Sequence, residues 1–197
     1  MYQKIKPVFD RTGSLILLAV FMPLIIIITI VNTIVTGGRP FFLHQRSGQF
    51  GKPIRIIKFR TLKDRNSNGE IIKELTGIGG FLRRSSIDEL PQLLNVLFGS
   101  MSLVGPRPLL MEYVPLYSAE QRRRLLVKPG ITGWAQVNGR NAIPWDDRFA
   151  LDTWYVGHMS FQLDVKILIL TIKKVITADG ARYKGQTLCP KFKATQS

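Results

Sequence analysis

The alternation of apolar and polar positions divides the chain into two unequal parts. Leu15 to Val35 reads LILLAVFMPLIIIITIVNTIV, with no charge in 21 residues. As a straight helix this run would be about 32 Å long, enough for the roughly 30 Å hydrocarbon core of a bilayer. It is too long for a signal-peptide core, and no small-x-small cleavage site follows Val35. Pro23 lies inside it, lacking an N–H and meeting the carbonyl of residue 19, which predicts a break near Met22. The limbs would then be about 12 Å and about 20 Å long, and neither crosses alone. Lys4, Lys6 and Arg11 precede the run, while Arg39, Arg46, Lys52 and Arg55 follow it, so both flanks look cytoplasmic. A re-entrant hairpin satisfies both observations, and a kinked span satisfies the proline alone.

Beyond Gly37-Gly38 the pattern becomes mixed. Phe41 to Leu43 and Ile54 to Phe59 read as short strands between turn residues, and Asp64 to Glu70 reads as a loop. Helical spacing covers Glu74 to Arg84, Ile87 to Leu97 and Ala119 to Leu126. Pro106, Pro108, Pro129, Gly130, Gly133 and Gly139 cut the middle into fixed loops. A last helix from Leu163 to Thr177 puts Leu163, Ile167, Leu170 and Val175 on one side and Lys166, Lys173 and Lys174 near its edges. It faces either the core or a membrane interface. The fold expected is α+β. Residues 1–36 form a membrane-inserted helix-break-helix, and residues 37–197 form one small, mainly helical domain with short strands and interfacial amphipathic helices.

Composition narrows the chemistry. An apolar fraction of 45% rules out a disordered chain. The excess of 28 Lys and Arg over 13 Asp and Glu, a net charge of +15, points to an anionic partner. The lone Cys189 excludes an internal disulfide, and His44 and His158 are too few for a histidine metal cage. Carboxylates, arginines and backbone must carry the work.

Arg83 to Gln92, RRSSIDELPQ, is the richest stretch. Ser86 with Glu89 three residues on fits a capping box, which makes Asp88-Glu89 a solvated helix start. Alternatively Asp88 is a nucleophile toward phosphorus, its pKa lowered by the neighbouring arginines, with a divalent cation bridging it to a pyrophosphate oxygen. Arg107, between Pro106 and Pro108, is either a rigid phosphate ligand or part of a structural turn. Lys58 and Arg60 alternate on one strand face, as a cationic pair or as a solvated edge. Lys128 to Trp134 and Gln136 to Asn141 form a Gly-rich loop that matches no Walker or dinucleotide spacing. Asp152 borders an aromatic segment holding Trp134, Trp145 and Trp154, of which at least two are expected in the core.

KFRT at 58–61, RRSSIDELPQ at 83–92, NVLFGSMSLVGPRP at 95–108 and KPGITGWAQVNGR at 128–140 together resemble the bacterial sugar transferase family of monotopic phosphoglycosyl transferases. The resemblance runs over nearly the whole chain, and its apolar segment sits where the family has a re-entrant helix. It implies a two-step transfer: Asp88 attacks the sugar-proximal phosphorus of a UDP-sugar, releases UMP, and passes the phosphosugar to undecaprenyl phosphate. It also implies that Glu89 is required, that magnesium (Mg2+) binds at Asp88, and that Arg107 binds phosphate. Lys58, Arg83, Arg140 and Asp152 match further substrate or phosphate positions, and Pro23 the membrane-helix break. The run at 130–145, GITGWAQVNGRNAIPW, looks closest to members that transfer diacetylbacillosamine phosphate. UDP-N-acetylglucosamine or a UDP-hexose is the alternative donor. The location implied is the cytoplasmic face of a bacterial inner membrane, with membrane lipids and a second copy of the chain as partners. The chain departs from the family's pattern at Met22, where a serine often precedes the proline, and at Ser100, usually Asp.

Two other classes compete. Arg122-Arg123-Arg124 and the net charge suit a membrane-anchored nucleic-acid binder, but no binding module or interleaved aromatics accompany them, so nucleic acid is not expected. A silent scaffold would use the same charges only to hold anionic headgroups.

Overall fold

The computed structural model describes residues 2–67, 70–139, 143–177 and 192. It is a mixed helix and strand fold. Helix α1 spans Tyr2–Val35 with Pro7 and Pro23 inside it. Among the described residues it is the one helix long and apolar enough to cross a membrane.

Every fourth residue of its first half faces the rest of the chain: Lys6, Asp10, Ser14 and Leu18 are buried. These are spacings that share one helix face. Lys6 Nζ donates to Asp164 Oδ2 at 2.5 Å, Asp10 accepts from Ser102 Oγ at 2.7 Å, and Ser14 Oγ donates to the Leu93 carbonyl at 2.6 Å. Further along, Leu24, Ile25 and Ile28 pack with Phe59 and Leu82. Phe59 and Leu82 are 2% and 1% exposed, so each contributes about 2–3 kcal/mol of burial. Near the end, Asn32 Nδ2 donates to the Pro40 and Arg60 carbonyls at 2.7 and 3.0 Å. The helix is thus fastened to one body from its first turns to its last. Its other face exposes Leu15, Ile16, Val20, Ile27, Ile30 and Ile34.

Strands β1 (Phe41–Ser47) and β2 (Pro53–Phe59) pair antiparallel. A second hairpin joins β3 (Leu62–Ser67) to β4 (Glu70–Leu75). It replaces both the loop expected over Asp64 to Glu70 and the first part of the helix expected from Glu74. Asn68-Gly69, the strongest short hairpin signal, stands between the two strands in the sequence, and Lys63 pairs with Glu74 across them. Helix α2 is confined to Gly79–Arg84. The helix expected over Ile87 to Leu97 is divided into a 3-10 turn, Ile87–Glu89, and α3, Gln92–Leu97. Pro91 lies between them and lacks the N–H that a continuous helix would use.

Short strands β5 (Ser102–Val104) and β6 (Gly130–Thr132) run parallel. Between them come a 3-10 segment (Met111–Leu116), helix α4 (Ala119–Arg122) with a Ser118–Gln121 capping box, and a 3-10 turn (Arg123–Leu126). Helices α5 (Trp134–Val137), α6 (Trp145–Gly157) and α7 (Phe161–Thr177) follow. Helix α7 is apolar on two sides. Ile167 is fully buried beside Val104 and Tyr155, whereas Phe161, Val165, Ile169, Ile172 and Ile176 are exposed. Phe9 of α1 and Phe161 are in ring contact at 5.2 Å, which joins the two exposed apolar faces. Trp134 and Trp145 pack half-buried against core clusters, and Trp154 is exposed.

Candidate active site

Asp88 and Glu89 occupy the 3-10 turn between α2 and α3. The residue before the turn, Ser86, has φ 59°, the left-handed region that a non-glycine residue seldom adopts. Backbone bonds from Ser86 N to the Arg83 carbonyl and from Glu89 N to the Ser86 carbonyl close the turn. The capping box does not form: Ser86 makes no side-chain cap bond. Glu89 is committed elsewhere.

Its carboxylate accepts Lys58 Nζ at 2.6 Å and Arg107 Nη2 at 2.8 Å, with Arg107 Nη1 at 3.4 Å. The Glu89 side chain is 15% exposed. Burial pushes its pKa up, but the Arg107 and Lys58 charges and hydrogen bonds outweigh this and hold it well below the usual carboxylate range. Asp88 is the opposite case. Among the described residues it accepts no hydrogen bond and forms no ion pair. Burial, then the Glu89 charge, pushes its pKa up to about 6, with Lys58, Arg107 and Arg83 only partly offsetting them. The direction is thus opposite to the lowering expected from the neighbouring arginines, because burial, with the Glu89 charge added to it, outweighs Lys58, Arg107 and Arg83.

Lys58 reaches the site from β2, whereas Arg60 turns to the carbonyls of Arg39 and Phe41. Arg83, at the end of α2, donates through Nε to Thr61 Oγ1 at 2.9 Å and adds its field to Asp88. Arg140 lies outside the described residues. Pro23, where a helix break was expected, lies inside the single helix α1, and the next residues, Leu24 and Ile25, pack in the same cluster as Ile87 of this turn.

Arg107 is held by backbone packing and by a buried ion pair. Gly105 and Gly130 cross so closely that a Cβ on Gly130 would stand 2.1 Å from Gly105 N, and one on Gly133 would stand 2.1 Å from the Gly105 carbonyl oxygen. No residue but glycine fits these positions. Gly105 N donates to the Thr132 carbonyl at 2.8 Å and Gly130 N to the Pro106 carbonyl at 3.0 Å, which ties the Pro-Arg-Pro segment to β6. Arg124 Nη2 donates to the Arg107 carbonyl at 2.7 Å and to Asp152 Oδ2 at 2.8 Å. The Arg124 and Asp152 side chains are 1% and 2% exposed, and the rings of Tyr117 and Phe149 lie 5.7 and 5.6 Å from the guanidinium.

Asp152 therefore stands behind the site, not in it. It fixes Arg124, which fixes the Arg107 main chain. The Arg122-Arg123-Arg124 triplet is not one patch: Arg124 is interior, Arg122 donates to the Tyr117 carbonyl, and Arg123 pairs with Glu120. The Ser100 departure also has a local role. Ser100 Oγ donates to the Asn95 carbonyl at 3.1 Å and accepts Asn95 Nδ2 at 3.2 Å. Asn95 in turn grips β2 through Ile57 N and the Arg55 carbonyl.

A cavity beside Glu89 is lined by Arg46, Lys58, Gln92, Arg107 and Leu109. Arg46 and Gln92 were not legible as site residues. Arg46 reads as one more positive charge after the apolar run, and Gln92 merely ends the Asp-Glu-Leu-Pro-Gln run. Burial, then the Arg107 charge, pulls Arg46 below an arginine's ordinary range.

No three His, Cys, Asp or Glu side chains among the described residues converge as a metal cage. Magnesium needs none. It is commonly held by one or two carboxylates, water and substrate phosphate. An unengaged Asp88 beside an engaged Glu89 fits that donor set.

The model of a family described as bacterial sugar transferase matches residues 1–178. The uncharacterized sugar transferase EpsL of Bacillus subtilis is 49% identical over 192 residues, which cover 95% of each chain. The undecaprenyl-phosphate galactose phosphotransferase of Salmonella typhimurium is 38% identical over 200 residues, 90% of this chain and 41% of that protein. The UDP-glucose:undecaprenyl-phosphate glucose-1-phosphate transferase of Xanthomonas campestris is 38% identical over 186 residues, 87% of this chain and 38% of that one. This chain thus spans less than half the length of the latter two.

Proposed function

The chain belongs to the bacterial sugar transferase family, and from that premise we propose that it moves a sugar 1-phosphate from a UDP-sugar to undecaprenyl phosphate. The observation that carries this reading is the contrast inside one turn. Glu89 is saturated by Lys58 and Arg107, while Asp88 has no bonding partner among the described residues.

In the first step a carboxylate oxygen of Asp88 attacks the sugar-bearing phosphorus. A phosphorus–oxygen bond to Asp88 forms, the bond to the bridging oxygen breaks, and UMP leaves with that oxygen and the electron pair. In the second step a phosphate oxygen of undecaprenyl phosphate attacks the same phosphorus and displaces the carboxylate, giving the polyprenol diphosphosugar and restoring Asp88. Glu89 keeps Lys58 and Arg107 extended toward the reacting phosphate, where their donors meet the charge that develops on its oxygens. Arg83 extends the same field. A magnesium ion at Asp88, when bound, would neutralise pyrophosphate charge.

The sugar proposed is an N-acetylated amino sugar such as diacetylbacillosamine, on the run at 130–145. The names of the relatives above, which specify galactose and glucose, favour a hexose as the second reading. The site lies at the cytoplasmic face of the inner membrane in this proposal. Helix α1 enters and leaves on that one face, consistent with its attachment to one body at Lys6, Asp10 and Ser14 and again at Asn32. Phe161, Val165, Ile172 and Ile176 of α7 extend the lipid-facing surface.

The test is UMP release by the purified chain with a panel of UDP-sugars, magnesium and undecaprenyl phosphate. Release with one donor, abolished by EDTA and by Asp88→Asn, supports the reading and names the sugar. Undiminished release by the Asp88→Asn variant overturns the mechanism. A tag at Met1 reached only from the periplasm overturns the topology.

A further inference from the structure

We propose that Arg46 and Gln92 form a second phosphate subsite in the cavity beside Glu89, whose wall also holds Lys58 and Arg107. The inference rests on the proposed transfer reaction and deepens it.

Gln92 is 2% exposed, lines the cavity, and its Nε2 has no acceptor among the described residues. Arg46 lines the same cavity. Its Nη2 contacts His44 Nδ1 at 3.1 Å, its Nε is buried without an acceptor, and no carboxylate lies within ion-pair distance among the described residues. Buried donors in folded proteins are almost always satisfied, and a donor left unpaired costs about 1–3 kcal/mol. Two residues carrying such donors, on separate elements β1 and α3, line one cavity, which is what an anion site looks like before its ligand arrives.

Charge points the same way. Arg46, Lys58 and Arg107 bring three positive charges to the cavity wall, and Glu89, the only carboxylate in that wall among the described residues, supplies one negative charge. The side chains that border Asp88 electrostatically are Glu89, Lys58, Arg107 and Arg83, with Arg46 not among them. Lys58, Glu89 and Arg107 are thus common to the surroundings of the reactive carboxylate and to the subsite wall. A diphosphate suits this layout: one phosphate faces Asp88, and its neighbour meets the Arg46 and Gln92 side chains, whose unpaired donors turn to it on binding. The group bound is a phosphate, supplied by the nucleotide or by the polyprenol headgroup.

Gln92→Met keeps the side-chain volume and removes the donors, and Arg46→Lys keeps the charge and removes Nε. The full chain in detergent is titrated with UMP, and separately with a short water-soluble prenyl phosphate, and melting of the ligand-free variants is recorded. Deleting an unsatisfied buried donor leaves Gln92→Met at least as stable as the parent. Both variants bind one of the two ligands about 10-fold more weakly, roughly 1.4 kcal/mol by the affinity relation. Weakened UMP binding assigns the subsite to the nucleotide, and weakened prenyl phosphate binding assigns it to the lipid. Unchanged binding of both ligands overturns the inference while leaving Asp88 chemistry standing. Loss of stability in Gln92→Met also overturns it, because Nε2 would then have a structural partner. Failure of the parent chain to bind either ligand counts against the transfer reading itself.

Discussion

Replacing Asp88 by Asn should make the protein more stable at neutral pH even as it abolishes turnover. Burial, and then the charge of Glu89, pushes the pKa of folded Asp88 up from the ordinary 3.8 to about 6. The folded protein therefore holds this proton more tightly than the unfolded chain does. Its stabilising contribution is complete below about pH 4 and is lost as pH rises through about 6. The rise from 3.8 to about 6 corresponds to about 3 kcal/mol at most, and solvent at the edge of the turn reduces it to about 1–2 kcal/mol. The amide in Asp88→Asn does not titrate, so the variant escapes that loss. Glu89 stays ionised throughout this window, and its repulsion of Asp88 is part of the loss that the variant escapes. At about 2–4 °C per kcal/mol for a chain of this size, the variant should melt several degrees above the parent at pH 8 and at nearly the same temperature near pH 4. The assay is thermal melting of both proteins in detergent with EDTA across that range. Added magnesium should narrow the gap at pH 8 by stabilising the parent. A gap that does not change with pH, or a variant less stable at pH 8, would refute the assignment of an uncompensated carboxylate to Asp88.

Three further outcomes follow from the supports of Arg107. Asp152→Asn leaves Arg124 buried without its counter-charge and should cost about 3–5 kcal/mol in denaturant unfolding. If Asp152 touched substrate instead, stability would hold and only KM would rise. Gly130→Ala places a Cβ 2.1 Å from Gly105 N and should cost about 3 kcal/mol or more, with loss of soluble folded protein. Arg107→Lys retains charge but loses the forked contact with Glu89, and should lower kcat/KM about 100-fold at unchanged melting temperature.

The reactive residues were legible because they sit in short contiguous patterns: Asp88 with Glu89, Arg107 between two prolines, Lys58 in an apolar strand. Their division of labour was not. Glu89 is disarmed by partners 31 and 18 residues away, and Asp152 by one 28 residues away, separations that no local spacing reveals. The same holds for Arg46 and Gln92, whose relation exists only once β1 and α3 share a cavity wall. In the fold, the apolar segment and the β1–β2 strands were visible from pattern, as was α7. The second hairpin was hidden because the polar run Asp64 to Glu70 reads as a loop around Asn68-Gly69, and Glu74-Leu75 join the helical spacing that continues to Arg84. Strands β5 and β6, three residues each, are too short to show a period. The first half of α1 was read as a charged flank, although Lys6, Asp10 and Ser14 form the stripe that binds it to the domain.

The central claim is that Asp88 carries the phosphosugar between donor and acceptor. Its most direct test is peptide mass spectrometry of the chain after incubation with the active UDP-sugar and magnesium, quenched in acid without undecaprenyl phosphate. A phosphosugar adduct is expected on the peptide containing Asp88, formed with release of one UMP and discharged when undecaprenyl phosphate is added. An unmodified Asp88 under conditions where UMP is released, or an adduct on another residue, would contradict it.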